Sequence, residues 1–129
     1  MSKYEPRILI VDDVLENLDL LRLYLTHYKF EVICASSGFE AIETARRERP
    51  DLILLDVMMD GLDGLSVCQQ LKQDDATKQI PVMFVSARAG KQDIALGLDA
   101  GAADYVSKPF SFVDVKNRID NMLAGGLVV

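Results

Sequence analysis

The chain has 129 residues, half of them apolar and about a quarter charged, a length that suits one domain around its own core and a balance that excludes a disordered chain or a fibrous repeat. Acidic residues outnumber basic ones and leave a net charge of −6. A surface of that sign repels phosphodiester backbones and anionic lipid, so no direct binding to nucleic acid or membrane is expected.

Residues 1–124 are expected to form the domain and 125–129 a short C-terminal tail, either a docking segment or a truncation point. Met1 to Arg7 is polar, and no apolar run is long enough for a signal segment or a bilayer span, so the expected address is cytoplasmic.

In chain order, Ile8 to Val11 is the first apolar run. It has strand length without polar alternation, as do strands covered on both faces in a parallel sheet. Val14, Leu18, Leu21 and Leu25 follow at helical spacing, with Asp13 and Glu16 resembling a capping box. His27 lies late in that helix, where a cation suits the dipole. Val32 to Ala35 is the second strand. The helix after it, Ser37 to Arg49, turns Phe39, Ile42 and Ala45 to one face and stops at Pro50. Leu52 to Leu55 is the third strand. Leu65, Cys68 and Leu71 mark a helix over Gly64 to Lys72, and a polar loop through Asp74, Asp75 and Thr77 follows. Val82 to Val85 is the fourth strand. Ile94, Ala95 and Leu98 mark the fourth helix, and Gly101 suits the left-handed position that ends it. A weaker strand at Tyr105 to Val106 precedes a fifth helix carrying Val113, Ile119, Met122 and Leu123. Cys34 and Cys68 fall in different elements and read as buried small hydrophobes, not as a disulfide or metal pair.

Five successive βα units select an α/β fold, a doubly wound five-stranded parallel sheet with right-handed crossovers and strand order 2-1-3-4-5. Such sheets bind ligands just outside the carboxyl ends of their strands. The residues at those ends are Asp12 and Asp13, Asp56, Ser86 and Lys108. Alone, Asp13 would read as a helix cap, Asp56 as a turn residue and Lys108 as a neutralising charge. Together, three carboxylates are expected in one crevice, with the hydroxyl and the ammonium on its far side. Neighbouring carboxylates raise one another's pKa, a cost that a hard divalent cation removes, and oxygen-only donors point to Mg²⁺. A carboxylate beside such an ion can attack phosphorus and form an acyl phosphate.

The segments Ile10-Val11-Asp12-Asp13, Leu54-Leu55-Asp56-Val57-Met58-Met59, Val85-Ser86-Ala87 and Lys108-Pro109-Phe110 resemble the receiver domain of two-component response regulators, the CheY-like family, over nearly the whole chain. The resemblance implies a single flavodoxin-like domain with Asp56 as phospho-acceptor. It implies Mg²⁺ held directly by Asp13 and Asp56 and by the Met58 backbone carbonyl, with Asp12 acting largely through metal-bound water. Ser86 would hydrogen-bond the phosphoryl oxygens, Lys108 would offset their charge, and Tyr105 would be the switch aromatic that turns inward when the hydroxyl residue moves. Lys108-Pro109 would be a cis peptide. Arg88 and Met58 would tune the lifetime of the acyl phosphate.

The implied partners are a sensor histidine kinase or phosphotransfer protein and a downstream effector or output domain, with a phosphorylation-dependent homodimer as a further expectation. The readout would be the surface of the fourth helix, fifth strand and fifth helix. Such a domain is a switch, not an enzyme acting on a separate substrate. Asp60 departs from the pattern, which has Pro after the second Met in many relatives; a looser loop with one more negative charge is expected there. Two rivals fit less well. A Mg²⁺ phosphohydrolase wants Asp-x-Asp spacing and a cap, and a flavodoxin-like FMN carrier wants Gly, Ser and Thr after the first strand, where this chain is acidic.

Overall fold

The computed structural model describes residues 5–124; the expected tail at 125–129 lies outside the described residues. The elements are β1 (Arg7–Val11), α1 (Leu15–His27), β2 (Glu31–Ala35), α2 (Gly38–Glu48), β3 (Leu52–Leu55), α3 (Gly64–Gln73), β4 (Val82–Ser86), α4 (Lys91–Asp99), β5 (Asp104–Ser107) and α5 (Phe112–Leu123). All strand pairs are parallel, and the sheet order is β2-β1-β3-β4-β5, as the alternation of elements predicts. Among the described residues, no helix is long and apolar enough to cross a membrane.

Strand side chains alternate between two helical layers. Leu9, Val11, Ile53, Leu55, Val82 and Phe84 meet Ala41, Ile42 and Ala45 of α2 and Val67, Cys68 and Leu71 of α3. Ile8, Ile10, Leu52, Leu54, Met83 and Val85 meet Leu18, Leu21 and Leu25 of α1 and Val115 and Ile119 of α5. The runs Ile8 to Val11, Leu52 to Leu55 and Val82 to Val85 are thus continuously apolar because water reaches neither face of the sheet there. The edge strand β2 departs from that reading, with Val32, Ile33 and Cys34 only half-buried. Cys34 is therefore not a core residue, whereas Cys68 is fully buried; both are free thiols.

Several helix faces differ from the predicted ones. Val14 precedes α1 and is exposed; Phe39, Leu98 and Val113 also face solvent. In α2 and α5 the predicted Ile42, Ala45 and Ile119 are buried as expected, joined by Ala41 and Val115; in α4 the buried position is Gly97, with the predicted Ile94 half-buried against the core. Apolar spacing left the edges of each face open, and the sheet's shape settled them.

The expected capping box at Asp13 and Glu16 is absent: the residue before α1 is Val14, and no side chain caps that helix. Asp12 closes this turn instead, accepting from the Val14 amide and from the Asn17 side chain, each at 3.0 Å. Side-chain caps form at Ser37, Asp63 and Ser111. The α2 helix ends at Arg49 in the left-handed region, φ +46°, and Gly101 after α4 has φ +107°.

Candidate functional site

Register places the site. Val11 lies opposite Leu55, so β1 and β3 finish level with one another, and Leu55 lies opposite Phe84, so β4 runs two residues further, to Ser86. Asp12 and Asp56 therefore leave the sheet side by side, and the Asp56 amide donates to the Val11 carbonyl at 3.1 Å. Lys108 follows β5, and its amide donates to the Ser86 carbonyl at 2.9 Å. The Lys108–Pro109 peptide bond is cis.

One ammonium joins the two buried carboxylates. Lys108 Nζ lies 2.9 Å from Asp12 Oδ2 and 3.1 Å from Asp56 Oδ2. The other Asp56 oxygen accepts from the Met58 amide at 3.0 Å. Burial is the largest influence on Asp56 and pushes its pKa up; the Met58 amide and Lys108 oppose that shift, and the Asp12 charge adds to it. Burial also acts against the Lys108 ammonium, but the Asp12 hydrogen bond and the two carboxylate charges outweigh it and hold the lysine above its ordinary range. The crevice therefore keeps its positive charge and presents a carboxylate that is partly desolvated.

Asp13 does not close on the same point. It is exposed, and its Oδ2 accepts from the Asp60 amide at 3.1 Å. With Met58, Asp60, Asp63 and Arg88 it lines an open cleft of about 350 Å³. Among the described residues, no group of three or more His, Cys, Asp and Glu side chains is disposed to hold a metal ion. The expected tight convergence of three carboxylates is thus replaced by an Asp12–Lys108–Asp56 bridge, with Asp13 facing the adjoining cleft. The donor chemistry still fits a Mg²⁺ ion, which needs only one or two carboxylates because it keeps several waters. Three aspartates against one lysine leave two formal negative charges for a divalent ion to balance.

The hydroxyl and aromatic lie to one side. Ser86 is fully buried as the last residue of β4, and its Oγ accepts from the Arg88 amide at 3.1 Å. The Arg88 side chain reaches Asp93 Oδ1 at 3.8 Å. The Tyr105 ring is buried beside Phe84, centroids 5.6 Å apart, and its hydroxyl donates to the Arg88 carbonyl. Burial raises the Tyr105 phenol pKa. Tyr105 thus points inward and is bonded to the loop after Ser86.

Three contributors were not read from the sequence. Asn17 holds Asp12, and the residue 60 amide holds Asp13. Gly64 brings the start of α3 against the backbone after β3; a Cβ there would overlap the Asp56 carbonyl oxygen and the Val57 Cα. Gly64 left a trace as a glycine opening a helix, and position 60 as a residue other than proline; Asn17 left none.

Residues 8–120 match the response regulator receiver domain family. The chain belongs to that family. This receiver domain is 43% identical over 123 residues to the response regulator PleD of Caulobacter vibrioides, an alignment that covers 95% of this chain and 27% of PleD. The chain spans about a quarter to a half of the curated relatives it matches. Among solved structures, a chain from Chloroflexus aurantiacus J-10-fl superposes with a TM-score of 0.90 at 34% identity, covering 94% of this receiver domain and 99% of that chain. The receiver domain of sensor histidine kinase PA1611 from Pseudomonas aeruginosa PAO1 superposes with a TM-score of 0.87 at 26% identity, covering 94% of this receiver domain and 99% of that chain. That structure has a magnesium ion coordinated in its active-site cleft. The receiver domain described here is accordingly a module of two-component phosphorelay signalling.

Proposed function

We propose that this receiver domain accepts a phosphoryl group on Asp56 from a phosphohistidine of a sensor kinase or phosphotransfer protein and changes the α4–β5–α5 surface in response. The observation that carries this reading is the Lys108 ammonium shared between Asp12 and Asp56 at the carboxyl edge of the sheet. In the step, an Asp56 carboxylate oxygen forms a bond to phosphorus while the bond from phosphorus to the donor imidazole nitrogen breaks; the electron pair stays with the imidazole, which takes up a proton from solvent. Asp56 starts as the nucleophile, oriented by the Met58 amide on one oxygen. Lys108 is close enough to follow the growing charge on the transferred oxygens, and burial of the crevice strengthens that attraction.

Asp13, Asp56 and the Met58 carbonyl would hold a Mg²⁺ ion, with Asp12 acting through its water, and the ion would supply charge neutralisation for the phosphoryl oxygens. Ser86 would turn from the Arg88 amide toward the new phosphoryl group, loosening the loop to which the Tyr105 hydroxyl is bonded. Arg88 and Met58, on the rim, are proposed to tune the phosphoryl lifetime. Residues 1–124 would act as one signalling unit whose output goes to an effector, an output domain or a second copy.

The test is intact mass after incubation with acetyl phosphate, with and without Mg²⁺. One phosphoryl gain is expected in wild type with Mg²⁺, and none in Asp56→Asn or without the metal. Gain by Asp56→Asn would remove the assignment. Saturating Mg²⁺ should also raise the melting temperature, because it binds only the folded site.

A further inference from the structure

We infer that the backbone amide of Asp60 is a positioning group for Asp13, holding one carboxylate oxygen so that the other stays directed to a cation. This rests on the reading above, in which Asp13 is a ligand of that ion. Of the three site aspartates, Asp12 is held by the Val14 amide, Asn17 and Lys108, and Asp56 by the Met58 amide and Lys108. Asp13 is exposed and touches neither Lys108 nor the amides at the start of α1. Among the described residues, its one hydrogen bond comes from the residue 60 amide, 47 positions along the chain, at 3.1 Å to Oδ2. Without that bond an exposed aspartate samples several rotamers, and each must be given up when an ion is bound. With it, Oδ2 is occupied by a charge-assisted hydrogen bond, and Oδ1 remains for coordination.

The feature is specific to a non-proline residue. Proline has no amide hydrogen and cannot make this bond, so the departure noted at position 60 adds a tie between the β1–α1 and β3–α3 loops, contrary to the looser loop expected from the sequence. The Asp60 carboxylate is a separate contribution. It is exposed at the cleft that Asp13, Asp63 and Arg88 also line, where solvent and salt screen its charge. Amide and charge can be separated: Asn keeps the amide and loses the charge, whereas Pro loses both.

Mg²⁺ binding is measured by calorimetric titration on wild type, Asp60→Asn and Asp60→Pro, each checked for folding by circular dichroism. Asp60→Asn is expected to bind within about threefold of wild type, and Asp60→Pro roughly tenfold more weakly than Asp60→Asn, the scale seen when a group that orients a metal ligand is lost. Amide hydrogen exchange, followed residue by residue without metal, gives a second readout independent of whether the proline variant folds. The residue 60 amide is expected to be protected in wild type and to exchange several-fold faster in Asp13→Ala, with Gly61 unchanged. Equal Mg²⁺ affinity in Asp60→Pro and Asp60→Asn, with wild type binding normally, would overturn the positioning role alone, as would an unprotected residue 60 amide. No Mg²⁺ binding by wild type would instead overturn the metal reading and the inference with it.

Discussion

Replacing Gly97 by alanine sets two known effects against each other at the one buried position of α4. On helix propensity alone the variant should gain about 0.5–1 kcal/mol, since glycine in a helix interior is unfavourable by that amount. The structure argues the opposite. A Cβ at this position would lie 2.8 Å from Tyr105 Cδ2, 2.9 Å from Tyr105 Cε2 and 3.1 Å from Phe84 Cδ2. Carbon atoms prefer separations of about 3.5–4.0 Å, so the tyrosine ring must retreat by roughly 0.7 Å or swing out. Phe84 is fully buried and cannot move aside. Overpacking of this kind costs about 1–3 kcal/mol. The expected net effect of Gly97→Ala is therefore a loss of about 1 kcal/mol, or about 3–5 °C in melting temperature for a domain of this size. Urea unfolding followed by circular dichroism reads the stability, and the ring resonances of Tyr105 read its environment. In the double variant Gly97→Ala/Tyr105→Ala the clash with the tyrosine ring is gone, so alanine at 97 should cost much less, giving a coupling of about 1 kcal/mol. A Gly97→Ala protein about 1 kcal/mol more stable than wild type, with unshifted Tyr105 resonances, would refute the claim that Gly97 is the socket for the inward ring.

Lys108→Met leaves the buried Asp12 and Asp56 facing each other without a cation; a loss of about 2–3 kcal/mol at neutral pH is expected in urea unfolding, smaller when Asp56 is also changed to Asn. With the lysine gone the Asp56 pKa, already raised by burial, climbs further, so that deficit should shrink as pH falls into the carboxylate range. Arg49→Gly should stabilise by about 0.5–1 kcal/mol, because relief of the left-handed strain at φ +46° exceeds the added chain entropy of glycine; an unchanged urea midpoint would count against it. Asp74 is held below its ordinary pKa first by the Ala76 amide and then by Arg46. Its contribution is therefore present above the ordinary carboxylate range and lost as pH falls through its lowered folded-state pKa. The difference in urea midpoint between wild type and Asp74→Asn should accordingly close on acidification; a constant difference would argue against a charge effect.

Much of this receiver domain is legible in one dimension, because its two determining features are local. A central strand covered on both faces must be continuously apolar, so Ile8 to Val11, Leu52 to Leu55 and Val82 to Val85 announce themselves, and a parallel sheet concentrates chemistry in the first residues beyond them. That is why Asp12, Asp56, Ser86 and Lys108 could be selected by position. What only the tertiary structure decided is how these groups divide their partners. Asp12 rather than Asp13 closes the first turn, Lys108 spans two carboxylates, and Asp13 turns to the amide of residue 60. Those outcomes depend on register and on backbone hydrogen-bond donors, which every residue but proline carries and which therefore leave no mark in the order of side chains. Helix rotation was hidden for a similar reason: α4 offers Ile94, Ala95 and Leu98 as apolar candidates, yet only Ile94 packs against the core and the buried position is Gly97, because the space the helix must fit is set by a tyrosine ring on a strand that follows it in the chain.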